Sequence, residues 1–212
     1  RIYPVRNHLI VPSCLSSLIF IILVIISYFY SNYRWKISFF DIMISIKHRR
    51  KEDMNIKIIT VGKLKEKYLK DAIAEYSKRL SRYCRLDIIE LPDEKTSENA
   101  SEKEEEIVRE KEGRNILSKI KDNEYVIALD LKGKHLTSEE FAQFISEKAV
   151  MGRPDLTFII GGSLGISQEV LARADYKLCF SKMTFPHQLF RVMLIEQIYR
   201  GFRIINGEPY HK

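Results

Sequence analysis

The sequence predicts an α/β fold in which a largely parallel β-sheet is covered by helices on both faces. From residue 54 onward, short apolar runs alternate with longer segments whose apolar residues recur at helical spacing. The short runs are apolar along their whole length, which is typical of parallel strands that are buried on both sides. Strands that alternate with helices in this way favour parallel pairing through helical crossovers.

The predicted strands are rich in β-branched residues, and turn-forming residues follow several of them. Gly62 ends the first strand, and a turn is predicted at Lys132–Lys134, directly after the third. A polar, acidic stretch over 92–100 predicts a mobile loop. The five predicted strands are 55–61, 86–91, 125–130, 156–160 and 176–180.

The predicted helices carry recognisable start signals. Ser101 and Thr137 are each followed three residues later by a glutamate, which is the capping-box pattern. The last helix is long and amphipathic, and it begins at Pro186 or His187. The charged run 102–106 is interpreted as a solvated helix face. The five predicted helices are 65–83, 101–120, 137–150, 167–173 and 186–205.

Charge is distributed unevenly along the 212 residues, whose formal net charge is +7. Residues 1–53 hold eight Lys or Arg and three acidic residues, a net charge of +5, which leaves +2 for residues 54–212. The second part is therefore nearly neutral. We expect any RNA binding by it to use a local basic patch rather than the overall charge.

The three cysteines are Cys14, Cys84 and Cys179. Their number is odd, their spacing is wide and no Cys-x-x-Cys motif occurs. A disulfide framework and a zinc site are therefore not indicated, and a reducing compartment is the simpler context. Cys84 and Cys179 are expected to be packed thiols rather than catalytic ones.

The first 53 residues have two competing interpretations. No charged residue occurs over 9–33, which is long enough for a transmembrane helix, and the denser basic residues after it would leave the rest of the chain in the cytosol. Against this, Met54 opens a complete α/β pattern, and residues 49–53 are what a purine-rich ribosome-binding site would encode. We expect residues 1–53 to be translated upstream sequence, with a membrane anchor as the alternative, and residues 54–212 to be the functional domain.

Three predicted strand ends carry residues suited to ligand binding. The run Gly161–Gly165 follows the fourth strand directly, Asp130 ends the third, and the polar loop 180–185 follows the fifth. Parallel sheets bind ligands at the carboxyl ends of their strands, so these segments predict an adenosine-sized pocket. The glycine spacing fits neither a dinucleotide fingerprint nor a phosphate loop of nucleoside triphosphatases. Taken alone, it fits a tight turn equally well.

Several groups near the C-terminus have side chains that could act in catalysis. His187 lies at the start of the last helix, where a capping or packed role is the simpler interpretation. Arg200 is four residues after Glu196, a spacing that also suits an ordinary surface ion pair. Tyr210 and His211 lie in a short tail that would ordinarily fray.

Taken together, the motifs resemble the RlmH family. This family comprises bacterial pseudouridine N3-methyltransferases of large-subunit ribosomal RNA, within the SPOUT superfamily. The resemblance extends over residues 54–212, and residues 1–53 have no counterpart in it. The segments that carry it are Leu129–Asp130, Phe158–Gly165, Phe180–Gln188, Ile195–Arg200 and Pro209–His211.

The resemblance implies a SPOUT-type fold with a C-terminal trefoil knot, a homodimer with each active site near the dimer interface, and a cytoplasmic enzyme that uses S-adenosylmethionine and no metal. The implied substrate is pseudouridine 1915 in helix 69 of 23S rRNA, presented by the assembled ribosome. No membrane association is expected for residues 54–212. The residues that would contact the cofactor are Leu129, Gly161, Phe180, Ser181, Lys182, Met183, Thr184 and Phe185.

The resemblance also implies catalytic roles for residues near the C-terminus. Arg200, Tyr210 and His211 would orient the base and stabilise the anion that develops when N3 loses its proton. His211 is the best-suited residue type for a proton acceptor near neutral pH. The alternatives are a SPOUT methyltransferase acting on transfer RNA or another ribosomal site, a non-enzymatic nucleotide-binding module, and a membrane-tethered protein.

Overall fold

A five-stranded parallel β-sheet forms the centre of the part of the chain that the structure describes. The computed structural model describes residues 54–97 and 99–210. The strand order in the sheet is β2-β1-β4-β3-β5, and every neighbouring pair is parallel. The predicted parallel α/β class is therefore confirmed. The strands are β1 (Asn55–Val61), β2 (Arg85–Leu91), β3 (Tyr125–His135), β4 (Asp155–Ile160) and β5 (Tyr176–Cys179).

Five helices connect or follow the strands, close to their predicted positions. Ser101 and Thr137 each accept a hydrogen bond from the backbone N–H three residues later, and the glutamate at that position bonds back to the capping residue. Both predicted capping boxes are therefore confirmed. The helices are α1 (Lys67–Leu80), α2 (Glu102–Leu117), α3 (Ser138–Val150), α4 (Gln168–Arg173) and α5 (His187–Ile205).

The sheet buries both of its faces, as the apolar strands predicted. Along β1, Ile56 and Ile58 lie in the apolar cluster that includes residues of α1, α3 and α5. Ile59 and Val61 lie in a second cluster with residues of α2 and α4. Successive strand residues point to opposite faces, so one strand contributes to both halves of the core.

The turn predicted at Lys132–Lys134 is wrong, because β3 continues to His135. Leu178 of β5 pairs first with Leu129 and again with Lys134, and the pairing register shifts between these two positions. The residues in between therefore form a bulge rather than a turn. Gly133 resembles a turn signal in the sequence. The strand nevertheless continues because it pairs with β5, more than forty residues further along the chain.

Within residues 54–97 and 99–210, no helix combines the length and apolar character needed to span a membrane. The uncharged run 9–33 lies outside the described residues, as does the proposed boundary at residue 53. Both interpretations of the N-terminal segment therefore stay predictions.

Candidate functional site

A cavity of about 650 Å³ lies at the carboxyl ends of β3, β4 and β5 and the start of α5. Its location is the edge of a parallel sheet at which ligands commonly bind. Its lining is mainly apolar, with backbone groups from the two loops that leave β4 and β5. The lining residues include Asp130, Leu131, Gly162, Ile166, Pro186 and His187.

The structure brings seven of the eight residues predicted to contact a cofactor into the lining of this cavity. The eighth, Lys182, has an exposed side chain and is not among the lining residues. Asp130, predicted at the end of the third strand, lines the cavity and also accepts a hydrogen bond from the backbone N–H of Lys132 at 3.2 Å. The seven residues are Leu129, Gly161, Phe180, Ser181, Met183, Thr184 and Phe185.

The glycine run after β4 is a tight turn and lines the cavity as well. The backbone N–H of Gly165 donates to the carbonyl oxygen of Gly162 at 3.0 Å, and Gly165 has φ +88°. A Cβ atom at Gly161 would lie 2.7 Å from the carbonyl oxygen of Gly165. The turn therefore closes against the position where any other residue would place a side chain, which requires glycine at 161.

Three phenylalanines form an aromatic wall on the other side of the cavity. The rings of Phe180 and Phe190 meet edge to face, with centroids 5.1 Å apart, and Phe185 stacks on Phe190 with centroids 6.2 Å apart. All three line the cavity and are partly exposed. Such a wall provides the apolar surface that a planar base requires.

Arg191 holds the first turns of α5 against the end of β1. Its guanidinium donates to Glu90 at 2.9 Å, to the carbonyl oxygen of Val61 at 2.7 Å and to that of Gly62 at 2.9 Å. The side chain is almost completely buried, and this burial lowers its pKa while the Glu90 carboxylate opposes the shift. Arg191 lies within the predicted last helix, 186–205, and no role was predicted for it. Its signal is a cation within a largely apolar helical stretch.

Glu112 of α2 lies behind the glycine turn. The carboxylate accepts a hydrogen bond from the backbone N–H of Glu94 at 3.2 Å, and its other oxygen has no hydrogen-bond partner among the described residues. That oxygen is 2.8 Å from where a Cβ of Gly162 would lie. Burial raises the pKa of Glu112, and the nearby Asp93 and Glu94 add to the shift. Sequence periodicity did not indicate this buried carboxyl.

The Glu112→Gln variant should change how stability depends on pH. A carboxyl whose pKa is raised in the folded state binds more protons there than in the unfolded chain. Its contribution to the free energy of unfolding is therefore fully present below the ordinary pKa of 4.5, and it is lost as pH rises through the pKa of the folded state. Glutamine does not titrate, so the variant should gain stability relative to the wild type as pH rises above about 4.5. Urea unfolding at a series of pH values measures this, and a constant difference would contradict it.

A second polar cluster joins α5 to the C-terminal tail. Arg200 donates to one oxygen of Glu196 at 3.0 and 2.7 Å, and the Tyr210 hydroxyl donates to the same oxygen at 3.2 Å. The Arg200 guanidinium also lies over the Tyr210 ring, 4.7 Å from its centroid. The structure thus brings together Arg200 and Tyr210, and these contacts hold Tyr210, which was expected to lie in a fraying tail. His211 lies outside the described residues.

The protonation of this cluster follows from the burial of Tyr210 and from the hydrogen bonds to Glu196. Burial, followed by the Glu196 carboxylate, raises the pKa of Tyr210 to about 12. Hydrogen bonding to Glu196 raises the pKa of Arg200. At neutral pH the phenol is therefore a hydrogen-bond donor and the guanidinium a cation. Neither group is a proton acceptor, and both suit the stabilisation of a developing negative charge.

The cluster does not line the cofactor-sized cavity of the same chain. Arg200 is thirteen residues after His187 on α5, which corresponds to about 20 Å along the helix. Glu196 instead lines a second cavity, of about 510 Å³, whose walls also include Phe180. The two sets of predicted residues therefore lie in different places within one chain.

The two described cysteines are free and buried, as expected for packed thiols. Burial raises the pKa of Cys84 to about 12, so its thiol stays protonated at neutral pH. The Cys179 thiol donates to the carbonyl oxygen of Ser181 at 3.2 Å. Among residues 54–97 and 99–210, no group of three or more His, Cys, Asp or Glu side chains is arranged to hold a metal ion.

Comparison with known proteins places residues 54–211 in the family described as "Predicted SPOUT methyltransferase". Ribosomal RNA large subunit methyltransferase H of Clostridium beijerinckii is 77% identical over 159 residues, which are 75% of this chain and 100% of that protein. Ribosomal RNA large subunit methyltransferase H 1 of Clostridium perfringens is 73% identical over the same shares of both chains.

Among solved structures, the SpoU methyltransferase AviRb from Streptomyces viridochromogenes, in complex with AdoMet, has a TM-score of 0.39 and 12% identity. The likeness covers 74% of this chain and 60% of AviRb, and it is too distant to bear on substrate or cofactor. The family match and the Clostridium relatives carry the assignment: the chain belongs to the SPOUT methyltransferase family, in its ribosomal RNA large subunit methyltransferase H group.

Proposed function

We propose that this protein transfers a methyl group from S-adenosylmethionine to N3 of pseudouridine 1915 in 23S ribosomal RNA, on the assembled ribosome in the cytoplasm. The observation that carries the proposal is the cavity at the strand ends. It gathers seven residues expected to contact the cofactor, in a chain 77% identical to a protein named ribosomal RNA large subunit methyltransferase H. Methylation of transfer RNA or of another ribosomal site is the alternative.

The cavity fits the proposed cofactor. A volume of about 650 Å³ is within the range of small-molecule sites, about 300–1,000 Å³. The wall formed by Phe180, Phe185 and Phe190 suits adenine, and the backbone of the Gly161–Gly165 turn provides polar groups close to the ligand. When bound, the cofactor supplies an electrophilic sulfonium methyl group, and the proposed reaction requires no metal.

The residues of this chain would supply the remaining chemistry. N3 of pseudouridine carries a proton and is a poor nucleophile until that proton leaves. Arg200 and Tyr210 would hold the base and stabilise the anion, since one is cationic and the other a donor at neutral pH. His211 would accept the proton, which its residue type allows.

We further propose that the active protein is a homodimer in which the Arg200–Tyr210 cluster of one chain faces the cofactor cavity of its partner. The distance of about 20 Å along α5 motivates this arrangement. A trefoil knot in the C-terminal part of the chain is part of the proposal.

Mixing two impaired variants tests the shared site. Gly161→Ala damages the cofactor cavity, and Arg200→Met damages the cluster. In a mixed dimer, the intact cavity of the Arg200→Met chain faces the intact cluster of the Gly161→Ala chain, so one of the two sites is complete. Activity should therefore return when the variants are mixed and partially refolded. Activity that stays at the level of the separate variants would mean that each site lies within one chain. Sedimentation analysis reports the dimer independently.

The Gly161→Ala variant alone should lose cofactor binding. The added methyl group would lie 2.7 Å from the carbonyl oxygen of Gly165, so the turn has to move. We expect the affinity for S-adenosylmethionine, measured by calorimetry, to fall at least tenfold. Gly201→Ala is the matched control, because its Cβ would meet Ile145 at an ordinary 3.5 Å. Equal affinities for the two variants would contradict the assignment of the cavity.

Methyl transfer to defined RNA substrates tests the reaction. The purified protein and labelled S-adenosylmethionine are incubated with ribosomes from a strain that lacks the gene, with naked ribosomal RNA and with transfer RNA. Mass spectrometry of the digested RNA then locates the methyl group. Label at N3 of pseudouridine in 23S rRNA from ribosomes is the expected result. Label only in transfer RNA would establish the alternative, and no label in any substrate would oppose both.

A further inference from the structure

Residues 63–70, here called the basic loop, join β1 to the first turns of α1 and form an exposed basic segment. They contain four lysines and a single acidic residue, Glu66. The first turn of α1 contains no acidic residue. Tyr68 has 68% of its surface exposed, although it is a large aromatic residue. The four lysines are Lys63, Lys65, Lys67 and Lys70, and all of them are exposed.

The charge of the basic loop is not neutralised by the rest of the described chain. None of its four lysines forms an ion pair within residues 54–97 and 99–210. By contrast, Lys111 on α2 pairs with Glu94 at 2.8 Å. Because residues 54–212 have a net charge of only +2, the basic loop is a local concentration of positive charge.

Contacts within the basic loop and directly before it place it beside the cofactor cavity. Thr60 of β1 pairs with Ile160 of β4, so the basic loop leaves the sheet next to the glycine turn. The backbone N–H of Lys65 donates to the side-chain oxygen of Gln188 at 3.0 Å. Gln188 is the next residue in the chain after His187, which lines the cavity. Arg191 fixes the carbonyl oxygen of Gly62 at 2.9 Å. The start of the basic loop is therefore anchored at one side of the cavity, and Lys67, Tyr68 and Lys70 follow it in the first turn of α1.

We propose that the basic loop binds the RNA strand next to the target nucleotide, with its lysines on phosphates and Tyr68 stacked on an unpaired base. This inference rests on the proposed function, since it assigns the RNA-binding surface of that site. Phosphates attract solvated lysines without regard to sequence, and exposed aromatic rings stack on bases that leave the helix. A nearly neutral protein needs such a local surface to hold its substrate.

Charge removal with a matched control tests the phosphate contacts. Lys63, Lys65 and Lys67 are replaced together by glutamine. The control replaces Lys78, Lys119 and Lys121, which are exposed at the opposite, amino-terminal edge of the sheet. Both triple variants lose three charges. The measurement is the KM of methyl transfer to large ribosomal subunits from a strain that lacks the gene, at several salt concentrations.

We expect the basic-loop variant to raise KM by about tenfold to a hundredfold near 0.1 M salt, from the release of counterions at two or three phosphates. For this variant, the slope of log KM against log salt concentration should become shallower by about two to three, close to one for each lysine. The control should match the wild type. Affinity for S-adenosylmethionine should stay unchanged in both variants, which separates substrate binding from damage to the cavity.

Tyr68 provides an independent test of the stacking contact. Tyr68→Ala should raise KM about fivefold or more, and Tyr68→Phe should stay close to the wild type, because stacking requires the ring and not the hydroxyl. If both triple variants have the same KM and salt dependence, the inference is overturned while the proposed function stands. A change of oligomeric state in Tyr68→Ala would also overturn it, because the surface would then join protein chains. Absence of transfer by the wild type would instead refute the proposed function.

Discussion

Replacing Arg200 by methionine should lower the rate of methyl transfer by about a hundredfold to a thousandfold, the usual cost of removing a preorganised group that stabilises developing charge. Methionine keeps much of the length of the side chain but cannot donate a hydrogen bond or carry a charge. Affinity for S-adenosylmethionine should not change, because Arg200 is not among the residues that line the cofactor cavity. Single-turnover kinetics and calorimetry measure the two quantities separately.

Two further variants make the Arg200 result specific. Arg200→Lys keeps the charge but loses the planar guanidinium, which contacts Glu196 through two nitrogens and lies over the Tyr210 ring, so we expect only partial recovery. Arg114→Met removes an exposed arginine from α2 and should leave the rate unchanged. A rate for Arg200→Met within a few-fold of the wild type would remove Arg200 from the mechanism. A parallel loss of cofactor affinity would show that its effect is structural.

Replacing Arg191 by methionine should destabilise the protein by about 3 kcal/mol, near the lower end of the cost of breaking a buried ion pair. The change removes the partner of Glu90 and leaves the carbonyl oxygens of Val61 and Gly62 without their donor. The start of α5 also lines the cofactor cavity, so affinity for S-adenosylmethionine should fall as well. Urea unfolding and calorimetry measure the two effects.

The matched control for Arg191 is Arg79→Met on α1. Arg79 forms an ion pair with Glu75 on the surface of the helix, and exposed pairs of this kind contribute little to stability. Its midpoint of urea unfolding should therefore stay close to that of the wild type. If Arg191→Met unfolds at the same denaturant concentration as Arg79→Met, the contacts of Arg191 do not hold α5 in place.

Local structure in this protein is encoded by short stretches of sequence. The apolar run of β1 and the capping boxes at Ser101 and Thr137 predicted their elements to within a few residues. These signals are readable because they depend on neighbours within one turn of helix or on alternation along one strand. The glycine turn at Gly161–Gly165 was likewise visible, although its meaning was open between a tight turn and a binding loop.

The features that the sequence did not reveal all depend on residues far apart in the chain. The bulge that replaced the predicted turn at Lys132–Lys134 exists because β5 pairs with both sides of it. Arg191 was not assigned a role because its partners lie on β1 and β2, about 100 residues or more away. The position of Glu112 behind the glycine turn depends on how α2 packs against that turn, which the sequence does not show.

The sequence by itself determined the α/β class, the order of the elements and the residue types that collect around the cofactor cavity, because each depends on local pattern. Only the tertiary structure decided the strand order, the contacts of Arg191 and the separation between the cavity and the Arg200–Tyr210 cluster. Arg200 and His187 lie on one helix, and its rise of about 1.5 Å per residue separates them by about 20 Å. The rigid helix α5 therefore keeps the Arg200–Tyr210 cluster away from the cofactor cavity of the same chain.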